Sequence, residues 1–177
     1  MTASRFERVA ANLGPCELVR GEVIPMSPGG MGHSGITTTI TMLLGDWAKR
    51  NKTGRVYTAE LGLITKTDPD TVRGADVAYY SFERLPRGAE TLGFSDVPPN
   101  LVVEVVGIGQ SWPYMLEKSS EYLQMGVDRV WIVDAKRRSL CIVRADKEPT
   151  VLNARQMVSD AEVLPKFRCR VADLFAV

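Results

Sequence analysis

The segment from Leu101 to Asp134 constrains the fold more than any other part of the chain. "LVVEVV" (101–106) is an apolar run of strand length. "WPYMLEKSSEYLQMG" (112–126) follows as a helix, with a Pro tolerated in its first turn and a Gly suited to its end. "RVWIVD" (129–134) is a second buried strand. Strand, crossover helix and strand make a βαβ-type unit, which predicts an α/β layer fold with a partly parallel sheet. A length of 177 residues with 45% apolar content suffices for one sizeable core, so a single domain over 1–177 is expected.

The rest of the chain fits around that unit. A short helix is predicted near Ala3–Asn12, stopped by Gly14-Pro15. "CELVRGEVIPM" reads as two short strands meeting near Arg20-Gly21, and "SPGGMGHSG" as a loop. Ile36, Ile40, Leu43, Leu44 and Trp47 lie near 3.6 spacing and predict a helix from Ser34 to about Arg50. "GRVYTAELGLIT" gives one or two strands, "TDPDTVRG" a turn, "ADVAYY" a strand, and "SFERLPRGAETLGFSDVPPN" a long connection. "AKRRS" turns into the strand "LCIVRAD", another strand is expected near Thr150–Leu152, and a last helical turn near Val171–Phe175.

Twenty-two Lys and Arg face 21 acids, a net charge of +1, so no global nucleic-acid signature is present. "AKRRS" with Arg144 forms a local basic patch, suited to phosphates or simply to a solvated hairpin tip. Cys16, Cys141 and Cys169 are far apart and outside any CxxC pattern; they read as reduced thiols and point to the cytoplasm. No apolar stretch is long enough to span a membrane, and "MTASRFERVAANLG" lacks the apolar core of a secretory signal. His33 is the single histidine, which argues against a multi-His zinc site; its place at a helix start suits capping or substrate contact. "GGMGHSG" lacks the GK[ST] ending of a phosphate loop.

Glu104 is the exception inside the valine run. A carboxylate buried there is costly unless a cation or hydrogen-bond donors meet it. Strand alternation places it on one face with Val102 and Val106. If the strand that begins at Asp76 is its neighbour, the two carboxylates converge, and paired hard oxygen ligands suit Mg²⁺ or Mn²⁺. Lys118 shares a helix face with Tyr122 four residues on, so a long amine there can reach over the strand ends to the carboxylates. Two carboxylates holding a metal and an ammonium at the developing charge are what water-mediated phosphoryl hydrolysis needs. Taken alone, Asp76 also reads as a turn residue at a strand start, and Lys118 as a solvated helix residue.

"RGADVAYYSFERLP", "PPNLVVEVV", "EKSSEYLQMGVDRVWIVD" and "LPKFRCRVADLF" are similar, in order and spacing, to the landmarks of the Uma-two family of restriction endonucleases, within the PD-(D/E)XK nuclease superfamily. The resemblance implies a restriction-endonuclease-like α/β fold, a central mixed β-sheet flanked by helices. It implies metal ligation by Asp76 and Glu104, and a catalytic lysine displaced from position 106, a Val here, to Lys118 on the following helix. Glu22, at the family's early Gly-Glu position, becomes an additional metal ligand or base, and Glu60 in "TAELGL" a weaker candidate. The implied activity is Mg²⁺-dependent (or Mn²⁺-dependent) hydrolysis of DNA phosphodiesters, with a homodimer expected on the same ground. Two positions depart from the pattern: Ala75 replaces the Pro before the Asp, and "GIGQ" (Gly107–Gln110) replaces a "SPSD"-like loop. That loop keeps open the alternative of a nuclease fold that no longer cuts and serves as a binding or assembly module.

Overall fold

A computed structural model describes residues 1–90 and 92–176. In chain order the elements are α1 (Ala3–Ala10), β1 (Cys16–Val19), β2 (Glu22–Pro25), α2 (Met31–Asn51), β3 (Gly54–Lys66), β4 (Thr71–Ser81), β5 (Leu101–Val105), α3 (Trp112–Met125), β6 (Arg129–Asp134), β7 (Ser139–Val143), β8 (Thr150–Asn153), β9 (Met157–Asp160) and β10 (Leu164–Arg170), followed by a 3₁₀ turn (Val171–Phe175). The main sheet has eight strands in the order β2-β1-β4-β5-β6-β7-β8, with β3 paired to β4 off that path. β5 and β6 run parallel, joined through α3 as a crossover, while the remaining ladders of the sheet are antiparallel. The expected mixed α/β sheet is therefore present.

Two apolar layers cover the sheet. On one face α2 lays Ile36, Ile40, Leu44 and Trp47 against Val77, Tyr79, Val103 and Trp131. Trp47 meets Tyr79 edge-on at 5.0 Å, and its indole N–H donates to Pro165 O at 2.9 Å. On the other face α3 packs Met115 and Tyr122 over Val102, Val130 and Ile132. The ends of α3 follow its sequence: Ser111 accepts from the Tyr114 N–H, and Gly126 closes the helix at φ 108°, where glycine carries no Cβ penalty.

Three expectations shift. β4 begins at Thr71, so "TVRG" is strand and the turn is confined to the residues before it; Asp76 lies inside a strand, not at its start. α2 begins at Met31, which takes part of the glycine-rich stretch into its first turn. The β9–β10 hairpin was not expected from the sequence: β9 is four residues with one buried side chain, Val158, and an irregularity in β10 between Leu164 and Cys169 breaks the alternation that marks a strand. Val158 and Phe167, with Val171 and Leu174, close the α2 side of the core.

Trp131 is fully buried beneath Phe167 on this face. Trp131→Ala should cost about 3–5 kcal/mol, measured by urea denaturation; a loss below about 1 kcal/mol would contradict the packing.

Candidate active site

The site is built by a fork. β3 follows β4 from one end to the other, from Lys66↔Thr71 to Gly54↔Ser81. The opposite edge of β4 is shared: β1 meets it at Val72, and β5 at Val77–Tyr79. Between those contacts no strand reaches β4, and buried backbone groups without partners are expensive. Side chains supply them. The Gly74 N–H donates to Glu17 Oε1 at 3.0 Å, and Gly74 O accepts from Lys118 Nζ at 2.9 Å. Across the gap, the Val105 N–H of β5 donates to Asp76 Oδ2 at 2.7 Å.

β3 is distorted at the same level. Thr58 pairs with Val77 and Leu61 with Ala75, so Ala59 and Glu60 together oppose Asp76. This is a β-bulge, and both residues sit at positive φ, 65° and 58°. Left-handed geometry at non-glycine residues is uncommon and marks constrained backbone. Alternation along β4 also reverses here, since Ala75 packs on the α3 face and Val77 on the α2 face. The bulge turns Glu60 toward Gly74, where a Cβ would lie 2.5 Å from Glu60 Oε2.

Glu104 is 3% exposed and has the partners its burial demands. Lys118 Nζ donates to its Oε2 at 2.8 Å, and the Tyr122 hydroxyl donates to its Oε1 at 2.7 Å. Lys118 is equally buried, and its ammonium also lies 3.0 Å from Glu17 Oε1. Glu17 in turn accepts from Arg73 at 2.8 Å and from the Tyr114 hydroxyl at 3.3 Å, and Arg73 is held bidentately by Glu121 at 2.6 and 2.9 Å. Five charged side chains, three acidic and two basic, thus form one network under α3.

The electrostatics follow from that arithmetic. Burial pushes the Glu104 carboxyl up to about 8; Lys118 opposes this and Asp76 adds to it. Burial also works against the charge on Lys118, but Glu104 and Glu17 hold its ammonium above the usual lysine range. At Glu17 burial is outweighed by Lys118 and Arg73, so its carboxyl lies below the usual range. Glu60, accessible from the cleft but crowded on its inner side, is pushed up to about 6 by lost hydration and then by the Asp76 charge. The His33 Nε2 stands 3.3 Å from Asp76 Oδ2, and that contact raises the imidazole pKa against the opposing effect of burial.

These groups line one cleft of about 690 Å³, which includes His33, Glu60, Asp76, Glu104 and Lys118 together with the Gly107–Gln110 loop. Asp76, Glu104 and Lys118 converge there. Glu22 does not: it lies exposed where β2 leaves its turn, and the acid that the first hairpin sends inward is Glu17. Glu60 and His33 join the cleft. Sequence reasoning missed Glu17 and Arg73, although an acid in "CELV" and a base in "TVRG", both strand segments, were available signals. Among the described residues no three His, Cys, Asp or Glu side chains converge in metal-ligand geometry.

The model of the Uma-two family, described as "Putative restriction endonuclease", matches residues 3–172, almost the whole chain. The chain belongs to the Uma-two family. A crystal structure titled as that of "a putative nuclease belonging to DUF820" from Anabaena variabilis shares its fold, with a TM-score of 0.81 at 19% identity over 99% of this chain and 98% of that one. No curated protein matches. Asp76 and Glu104, the two acids expected at the site, lie on β4 and β5, the strands that pair beside the open fork.

The raised carboxyl of Glu104 makes stability depend on pH. Protonation favours the folded chain, so this contribution is complete below the ordinary carboxylate value of 4.5 and is lost as pH climbs through about 8. In EDTA, this contribution to melting temperature should fall between about pH 4.5 and 8 and level off above, and Glu104→Gln should flatten that fall; parallel profiles would contradict the assignment. Lys118→Met, which strands two acids, should destabilise the protein by about 3–5 kcal/mol in the same buffers.

Proposed function

We propose that this protein is a metal-dependent endonuclease that hydrolyses DNA phosphodiester bonds, with Asp76 and Glu104 as the residues that hold Mg²⁺ or Mn²⁺. The observation that supports this most is the meeting of Asp76, Glu104 and Lys118 at one open fork. The donor set fits such an ion. It offers carboxylate oxygens and no thiolate, which suits hard divalent cations. Asp76 Oδ2 is taken by the Val105 N–H, while no protein donor reaches Oδ1 among the described residues. Burial, with a smaller push from the Asp76 charge, raises the carboxyls of Glu104 and Glu60, and a bound cation would favour their ionised forms.

When bound, the ion supplies charge neutralisation at the scissile phosphate and a more acidic water. The chain's own residues do the rest. Lys118 and Tyr122 fix both oxygens of Glu104, so its carboxylate enters the cleft in one orientation. The Lys118 ammonium, held by Gly74 O, Glu104 and Glu17, adds fixed positive charge at the wall of the cleft where phosphorane-like charge would develop. Glu17 holds that ammonium from behind, which makes it a positioning residue. His33 braces Asp76 from the first turn of α2.

Asp76→Ala and Glu104→Ala should each lower Mn²⁺-supported cutting of plasmid DNA by at least about a hundredfold. Both should also abolish Mn²⁺ binding measured by calorimetry, with circular dichroism unchanged. A wild-type protein that binds neither ion and cuts no DNA from low to high salt would overturn the enzyme reading and leave that of a binding module.

A further inference from the structure

The replaced loop after β5 has a shape of its own. The Gly107 N–H donates to Gln110 Oε1 at 2.8 Å, the Gln110 N–H donates to Gly107 O at 3.3 Å, and Gly109 takes φ 82°. This tight turn holds Ile108 at its tip, 98% exposed, on the wall of the cleft that contains Asp76 and Glu104. An isoleucine left in water forgoes the stabilisation that burial of its apolar surface would give. Scattered exposed apolar residues are ordinary; one presented by a tied turn at the lip of a polar cleft is a different matter.

The cleft's charge sharpens the question of what that tip meets. Its walls carry Glu60, Asp76 and Glu104, and among the described residues Lys118 is the one Lys or Arg that lines it, with an ammonium faced by three protein oxygens. A polyanion entering this cleft finds no uncommitted cation on its walls. The cations stand one turn away. β5 and β6 are parallel and end at the same edge, so the turn after β6 neighbours the Ile108 loop, and Ala135 of that turn lines the same cleft. Lys136, Arg137 and Arg138 follow, all exposed. Arg137 pairs with Asp134, Arg138 lies over Phe175, and Lys136 makes no ion pair among the described residues.

We propose that Ile108 is a wedge that enters the base stack of duplex nucleic acid beside the cut site, while the Lys136–Arg138 turn takes the adjoining phosphates. This rests on the nuclease reading and names its substrate as duplex that yields at a weakly stacked step. Apolar side chains inserted between base pairs unstack and kink a duplex, and pyrimidine–purine steps give way most easily. Burial of the Ile108 side chain, and the kink that carries phosphates toward the basic turn, offset the cost of unstacking.

The test uses full-length protein with Mn²⁺ and duplexes carrying 2-aminopurine beside a TA step. Wild type should raise the fluorescence on binding, as the base unstacks, and Ile108→Ala should not. Ile108→Ala should bind and cut the intact duplex about tenfold less well. It should match wild type on the same duplex with a mismatch at that step, where the unstacking is already done. Lys136→Ala should instead weaken binding to both duplexes and lower the log–log salt slope by about 0.9. Equal behaviour of Ile108→Ala and wild type on intact duplex, or an equal loss on both duplexes, would overturn the wedge. So would a change in oligomeric state on Ile108→Ala, which would make the tip a contact between copies. Wild type that binds and cuts neither duplex would overturn the nuclease reading as well, whereas cutting without the fluorescence rise would remove the wedge alone.

Discussion

The ammonium of Lys118 is the interaction on which the rest of the site depends. It sits under α3 at a point where β1 and β5 part from β4, and it reaches Gly74 O, Glu104 and Glu17 within 3.0 Å. Each partner belongs to a different strand. One buried cation therefore ties three strands where no main-chain ladder can. Removing it would leave a carbonyl and two carboxylates in a dry place, which is more expensive than any single contact suggests. The same cation lets Glu104 remain inside a valine run.

The fork connects fold to chemistry. A continuous sheet would satisfy its own backbone and leave no polar groups to arrange. Where β4 loses its neighbour, Gly74 and Val105 need partners, and the side chains that answer are Glu17, Lys118 and Asp76. The opposing bulge at Ala59–Glu60 brings a further carboxylate to the same level. Strain and unpaired backbone are thus concentrated where acidic groups gather, as expected of a site whose function overrides regular packing.

Much of this was legible in the sequence, for physical reasons that differ by residue. Glu104 stood out because a charge interrupts an otherwise apolar strand, and that contrast survives without any knowledge of its neighbours. The βαβ unit was legible because its periodicities are strong. Lys118 was legible from its helix face as an amine within reach of the carboxylates, but spacing left it equally readable as a solvated residue, and the fold shows it buried. Glu17 stayed hidden because an acid in a four-residue strand carries no sign of what lies over its face; here α3 covers it with Lys118 and Tyr114. Arg73 was lost because "TDPDTVRG" reads as one turn, although β4 already begins at Thr71. Glu22 was expected at the site, but it follows the two-residue turn after β1 and lies exposed at that end of the hairpin.

The most direct measurement is a crystal structure of the protein soaked in Mn²⁺, with anomalous scattering recorded at the manganese edge. Ligation by two carboxylates at the fork predicts one strong peak within about 2–2.5 Å of both Asp76 and Glu104 oxygens, with Lys118 still seated between Gly74 O and Glu17. A fully occupied soak with no peak there, or with manganese bound elsewhere while Lys118 keeps Glu104 closed off, would contradict it.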